Sequence, residues 1–182
     1  MSIVVGIDPG LAHFGYSVVD MRPEGFFPVS MHLIMTKKSD KKMKVLASDD
    51  NTRRGRELVN SFRHVVDHNP VAFCVEAKSF PRNSSAAAKT AISWGVVITI
   101  AELYDIPIFQ ATPQQIKTKM CGKKNASKDE IQNAVDEYFG SEIIHPLVEG
   151  LAKTKLEHPY DSIAAVVACS DAEALRLVRK MS

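Results

Sequence analysis

The sequence predicts an α/β fold: a mixed five-stranded sheet, with an antiparallel N-terminal meander followed by parallel strands, flanked by helices. Three observations predict it. The first 36 residues carry three β-branched runs separated by short turns. After residue 50, apolar runs of strand length alternate with segments of helical period. The run Val71-Ala72-Phe73-Cys74-Val75 is apolar at every position, as a strand covered on both faces requires.

Ile3–Asp8 reads as the first strand, closed by the turn pair Pro9-Gly10. Phe14–Asp20 and Ser30–Thr36 follow as its antiparallel neighbours. Leu58, Phe62, Val65 and Val66 give one apolar face to a helix over 51–67. Val71–Glu76 is the fourth strand, and Ser84 or Ser85 caps a helix continuing through Tyr104. Ile106–Ala111 is the fifth strand, with Pro113 placed where first helical turns favour it. Ser127 with Glu130 forms a capping box opening a helix to about Phe139. A last helix is expected from Pro159 to Arg179. With no repeats, low-complexity tract or linker, residues 1–182 read as one domain.

Composition narrows the class. At 45% hydrophobic and 24% charged residues, the chain has the make-up of a globular protein. Its longest apolar stretches, Trp94–Ala101 and Ile163–Cys169, fall short of the roughly 18 residues a bilayer span needs, so no membrane is expected. Asp8 interrupts the N-terminal apolar run, which speaks against a secretory signal. Cys74, Cys121 and Cys169 are too widely spaced for a CxxC motif and suit a reducing compartment.

The net charge is only +2, but the charge is segregated. Eight basic residues against three acids fall between Lys37 and Arg56, and eight against two between Lys78 and Lys128. The second window opens two residues after Glu76, which ends an apolar strand as Asp8 does. A carboxylate there is costly in a core unless paired or bound to metal, whereas strand ends of an α/β sheet face the ligand crevice. Asp161 precedes the apolar run of the last helix. With Pro159 as first helical residue, His158 becomes the N-cap and shares a face with Asp161. Singly, each acid also reads as a turn or capping residue. Together, three hard oxygen donors and an imidazole suit Mg²⁺ or Mn²⁺, and two such ions about 4 Å apart suit phosphodiester hydrolysis. The basic residues Lys78, Arg82, Lys89, Lys119, Lys123 and Lys124 would then hold a nucleic-acid backbone.

These residues also carry a resemblance. Ile7-Asp8-Pro9-Gly10 with Phe14-Gly15-Tyr16-Ser17-Val18-Val19, Val75-Glu76, Ile116-Lys117, Lys128 and His158-x-x-Asp161-Ser162-Ile163-Ala164 resemble, in order, the RuvC-type Holliday-junction resolvases of the RNase H-like superfamily. The resemblance implies an RNase H-like sheet and a structure-selective endonuclease. Such an enzyme resolves four-way DNA junctions by metal-dependent hydrolysis, in paired symmetric nicks. It implies Asp8, Glu76, His158 and Asp161 as metal-binding catalytic residues, Lys117 and Lys128 near the scissile phosphate, and Phe80 stacked on unpaired bases. It further implies Mg²⁺ as cofactor with Mn²⁺ able to substitute, two ions per site, a homodimer, and a cytoplasmic, DNA-associated location. The charged segment 37–56 is longer than in compact bacterial members and more like the phage-encoded branch. Gly140–Lys155 has no counterpart in the pattern, and the loop Ala77–Asn83 is one residue longer than the family's.

Other motifs carry less. His64-x-x-x-His68 has zinc-like spacing without a third ligand type nearby, and Gly122-Lys123-Lys124 lacks the rest of a phosphate loop. The rival functions are a nuclease of broader taste for branched DNA or flaps, and a junction-binding protein without turnover. Three phosphate-repelling carboxylates speak against the second. A sugar-kinase-like or actin-like ATPase would need a second glycine-rich phosphate loop and a longer chain.

Overall fold

In the computed structural model, residues 2–78 and 81–181 are described. Five strands form one sheet in the order β3-β2-β1-β4-β5. β1 (Ser2–Asp8) pairs antiparallel with β2 (His13–Arg22), which pairs antiparallel with β3 (Gly25–Met35). β4 (Ala72–Glu76) and β5 (Ile108–Ala111) add in parallel on the other side of β1. The mixed sheet expected from the sequence is present.

Side-chain alternation divides the core into two layers. One face of the sheet places Val4, Val19 and Cys74 against helices α3 (Pro113–Cys121), α4 (Lys128–Phe139) and α6 (Glu157–Cys169). The other face packs Val5, Ile7, Phe14 and Phe73 against α1 (Ala47–Phe62) and α2 (Ser84–Leu103). The central strands β1 and β4 are therefore buried on both sides.

Several boundaries differ from the sequence expectation, each for a physical reason. β3 starts at Gly25 rather than Ser30, because Pro28 is tolerated on an edge strand beside an irregularity at Val18/Val19. The helix expected over 51–67 opens at Ala47 and ends at Phe62. A 3-10 segment, Arg63–His68, then carries the chain to Asn69, whose φ of 50° ends it. α2 is capped by Asn83, whose Oδ1 accepts from the Ala86 amide, and not by Ser84 or Ser85. Capping boxes at Thr112–Gln115 and Ser127–Glu130 open α3 and α4.

The last helix is two. α6 ends at Cys169, where the Ser170 hydroxyl bonds the Val167 carbonyl, and α7 (Glu173–Met181) follows. α6 opens two residues before Pro159, with Leu156 at the N-cap, so His158 lies inside the first turn instead of capping it. Proline fits there because first-turn N–H groups have no intrahelical acceptor. The stretch 140–155 forms α5 (Ser141–Leu147) and a 3-10 turn, Lys153–Lys155, that leads into α6.

Candidate active site

The parallel ladder pairs Ile7 with Val75, so Asp8 and Glu76 finish neighbouring strands at the same edge. Both are buried, at 3% and 8% exposure. α6 brings the other two groups by crossing β1 and β2 at backbone contact. A Cβ on Gly6 would lie 2.0 Å from the Ser162 carbonyl oxygen, and one on Gly15 would lie 2.2 Å from that of His158. Glycine at these two positions lets the first turn of α6 settle over the strand ends.

His158 Nδ1 then lies 2.7 Å from Asp8 Oδ2. Lys78 Nζ sits between the two strand-end acids, 2.6 Å from Asp8 Oδ1 and 2.8 Å from Glu76 Oε1. A cleft of about 280 Å³ is walled by these groups with Asp161, Lys117, Lys128 and Glu157. Lys128 is ion-paired to Glu157, whose second oxygen is 3.5 Å from His158 Nε2.

The acids are shifted in different directions. Burial pushes Asp8 up, but the His158 hydrogen bond and the Lys78 charge outweigh it and leave Asp8 below its usual value. Burial and the Asp8 charge raise Glu76. Asp161 is pushed up to about 7 by burial and by the charges of Asp8 and Glu76. Lys78 stays protonated, because the two carboxylates more than offset the cost of burying it.

The donor chemistry fits a hard divalent cation: three carboxylates under mutual repulsion, and an imidazole. Among the described residues, no three such donors converge tightly enough to close a coordination shell in this arrangement. The counter-charge between Asp8 and Glu76 is the Lys78 ammonium.

Of the residues singled out from sequence, Asp8, Glu76, His158, Asp161, Lys117, Lys128 and Lys78 share this cleft. The others do not line it. Lys119 is 2.8 Å from Asp171 beside a separate hollow of about 620 Å³ that Lys124 also lines. Lys123 pairs with Glu130. Arg82 is exposed, and Lys89 lies with Lys38 and Lys44 in a hollow near the start of α2. Phe80 lies outside the described residues. Sequence reasoning missed Glu157, although its place directly before His158 was a signal. It also missed His13, which stacks on His158 at 5.0 Å and has its Nε2 2.8 Å from Lys155 Nζ. Lysine only donates, so His13 Nε2 is the acceptor. Burial and the Lys155 charge lower the pKa of His13.

A mixed five-stranded sheet with acids at the ends of two central strands and on the helix crossing them has the architecture of an RNase H-like nuclease. A family model described as crossover junction endodeoxyribonuclease RuvC matches residues 4–147, and the chain belongs to that family. The RuvC of Chlamydia abortus is 30% identical over 131 residues, covering 71% of this chain and 74% of that one. The RuvC of Pseudothermotoga lettingae is 31% identical over 134 residues, covering 73% and 77%. The fold also matches Thermus thermophilus RuvC in complex with a Holliday junction substrate, with a TM-score of 0.72, 23% identity and 98% of each chain covered. A fowlpox virus resolvase bound to Holliday junction DNA matches at a TM-score of 0.52 and 12% identity, covering 95% of this chain and 98% of that one.

Proposed function

We propose that this chain is a structure-selective endonuclease that resolves four-way DNA junctions by metal-dependent phosphodiester hydrolysis, acting as a homodimer that makes paired symmetric nicks. The observation that carries the reading is the gathering of Asp8, Glu76, His158 and Asp161 in one cleft, with Lys78, Lys117 and Lys128 on its wall, in a chain of the RuvC family.

Asp8, Glu76, His158 and Asp161 are the residues that would hold Mg²⁺, with Mn²⁺ able to substitute, as a pair of ions. The chemistry these ions would supply there is Lewis-acid polarisation of a phosphate and a lowered pKa for a bound water. The remaining work belongs to this chain. Lys117 and Lys128 meet the scissile phosphate, and Lys128, released from Glu157, stabilises the charge that builds on its oxygens. Asp8 fixes the orientation of the His158 ring through Nδ1, leaving Nε2 turned towards Glu157 for a ligand or a proton. Arg82, Lys89, Lys119, Lys123 and Lys124 hold backbone phosphates on either side, and Phe80 stacks on bases unpaired at the crossover.

The test uses a labelled synthetic four-way junction and a linear duplex of matched sequence, with wild type and Asp161→Asn in Mg²⁺, Mn²⁺ and EDTA. Paired symmetric nicks on the junction alone, lost in EDTA and in the variant, are expected. Tight binding without cutting in any metal would reduce the protein to a junction scaffold. Equal cutting of the duplex would remove the junction selectivity.

A further inference from the structure

Lys78 poses a question that the nuclease reading leaves open: why an ammonium group lies inside the acid cluster. The side chain is 29% exposed, and its Nζ contacts one oxygen of Asp8 and one of Glu76 at charge-assisted hydrogen-bond distance. Asp8 and Glu76 finish adjacent strands, buried and facing each other's charge. Two carboxylates so placed repel each other, and a cation lying between them offsets that repulsion. Lys78 follows Glu76 by two residues, so the cation is tethered to the strand end that needs it.

The geometry points to Lys78 as a built-in counter-ion that occupies the cation position of the Asp8–Glu76 pair in the metal-free protein and must leave before a divalent ion can bind there. This rests on the reading of Asp8 and Glu76 as metal ligands. Lys78 holds the acid pair in register while the site is without metal, and it sets metal affinity by competing for the same oxygens. Exchange conserves the logic of charge: one tethered positive charge withdraws and a mobile divalent ion replaces it. Once displaced, the ammonium is free to pair with a backbone phosphate.

The readout is binding, with DNA absent. Mn²⁺ titrated into the protein is followed by the loss of the free-ion electron paramagnetic resonance signal, for wild type, Lys78→Met, Lys78→Arg and Lys78→Met combined with Asp8→Asn. Methionine keeps the aliphatic stem and removes the charge; arginine keeps the charge. Lys78→Met is expected to bind Mn²⁺ on the order of tenfold more tightly, as when a competent state populated at about a tenth becomes dominant. Lys78→Arg is expected to gain nothing. In thermal melts, Lys78→Met should melt below wild type in EDTA and gain more from Mn²⁺ than wild type does. That second comparison reads the counter-ion role even if the variant is less stable. Equal affinity of wild type and Lys78→Met, with Asp8→Asn still abolishing binding, would overturn the competition and leave the metal site standing. Mn²⁺ binding that survives Asp8→Asn would overturn both.

Discussion

Asp161 shows how one residue reports the state of the whole cluster. Its carboxyl titrates at about 7 because it is buried beside Asp8 and Glu76. A folded-state pKa above the unfolded value means that the folded protein holds the proton more tightly. The stability this contributes is complete below about pH 4 and is lost as the pH rises through 7. The shift sets an upper limit of about 4 kcal/mol, and solvent contact at the cleft wall brings it to roughly half. In EDTA, Asp161→Asn should therefore match wild type in urea melts at pH 4 and exceed it by about 2 kcal/mol at pH 8. Equal stability at pH 8 would mean that Asp161 is not under charge stress. Lys128 is the second test at this scale. Lys128→Ala should lower kcat by about 10²–10³ with KM little changed, as for loss of a group that meets only transition-state charge. A change confined to KM would make it a plain backbone contact. The strand-end acids were legible because an ionisable group ending an apolar strand has few structural uses. His13 and Glu157 were not, and Lys78 was read only as a backbone contact, because their roles depend on which side chains the fold sets opposite them.

At the scale of elements, the site depends on how closely α6 approaches the sheet. At Gly6 and Gly15 strand backbone lies directly against that helix, and a methyl group at either has no room. Gly15→Ala would press directly on the His158 carbonyl and lift the first turn of α6. Overpacking of this kind costs about 1–3 kcal/mol, and here the displacement carries His158 away from Asp8. The expected result is a folded variant, 1–3 kcal/mol less stable by chemical denaturation, whose junction cleavage falls at least as far as that of His158→Ala. Full activity with reduced stability would show that the first turn of α6 tolerates a shift. Element type followed from the sequence wherever local chemistry decides it, as at the first-turn Pro113, the capping box at Ser127 or the all-apolar β4. It failed where tertiary context decides. The start of α1 has no side-chain cap to announce it. The break between α6 and α7 rests on one serine hydroxyl turned back onto its own helix.

For the whole molecule, the surface that stands out is the outer side of α2. Its 20 residues are apolar on nearly every side, and such a helix is normally covered all round. Its inner residues Ser93, Val96, Val97, Ile100 and Ala101 pack into the core, whereas Ile98, Leu103 and Tyr104 stand 52%, 71% and 54% exposed. By length and composition alone α2 could cross a bilayer, with a mean hydropathy of 1.3, but those five core residues tie it to the sheet. A shallow groove of about 500 Å³ runs beside it, lined by Gly55, Val59, Ile92, Gly95 and Thr99. Small residues along a groove allow close approach of a second helix, and a two-fold axis would bring the same face of another copy to it. A homodimer of the kind proposed would be built on this side of α2, a placement that one substitution tests. Ile98→Glu places a charge on that exposed side, at a residue that does not line the acidic cleft. Sedimentation should show wild type as a dimer and the variant as a monomer at micromolar concentration. The variant should keep its melting temperature to within a few degrees while paired cleavage of a junction gives way to slow single nicks. A variant that stays dimeric and still cuts both strands would move the interface elsewhere and leave the exposed side of α2 without a partner.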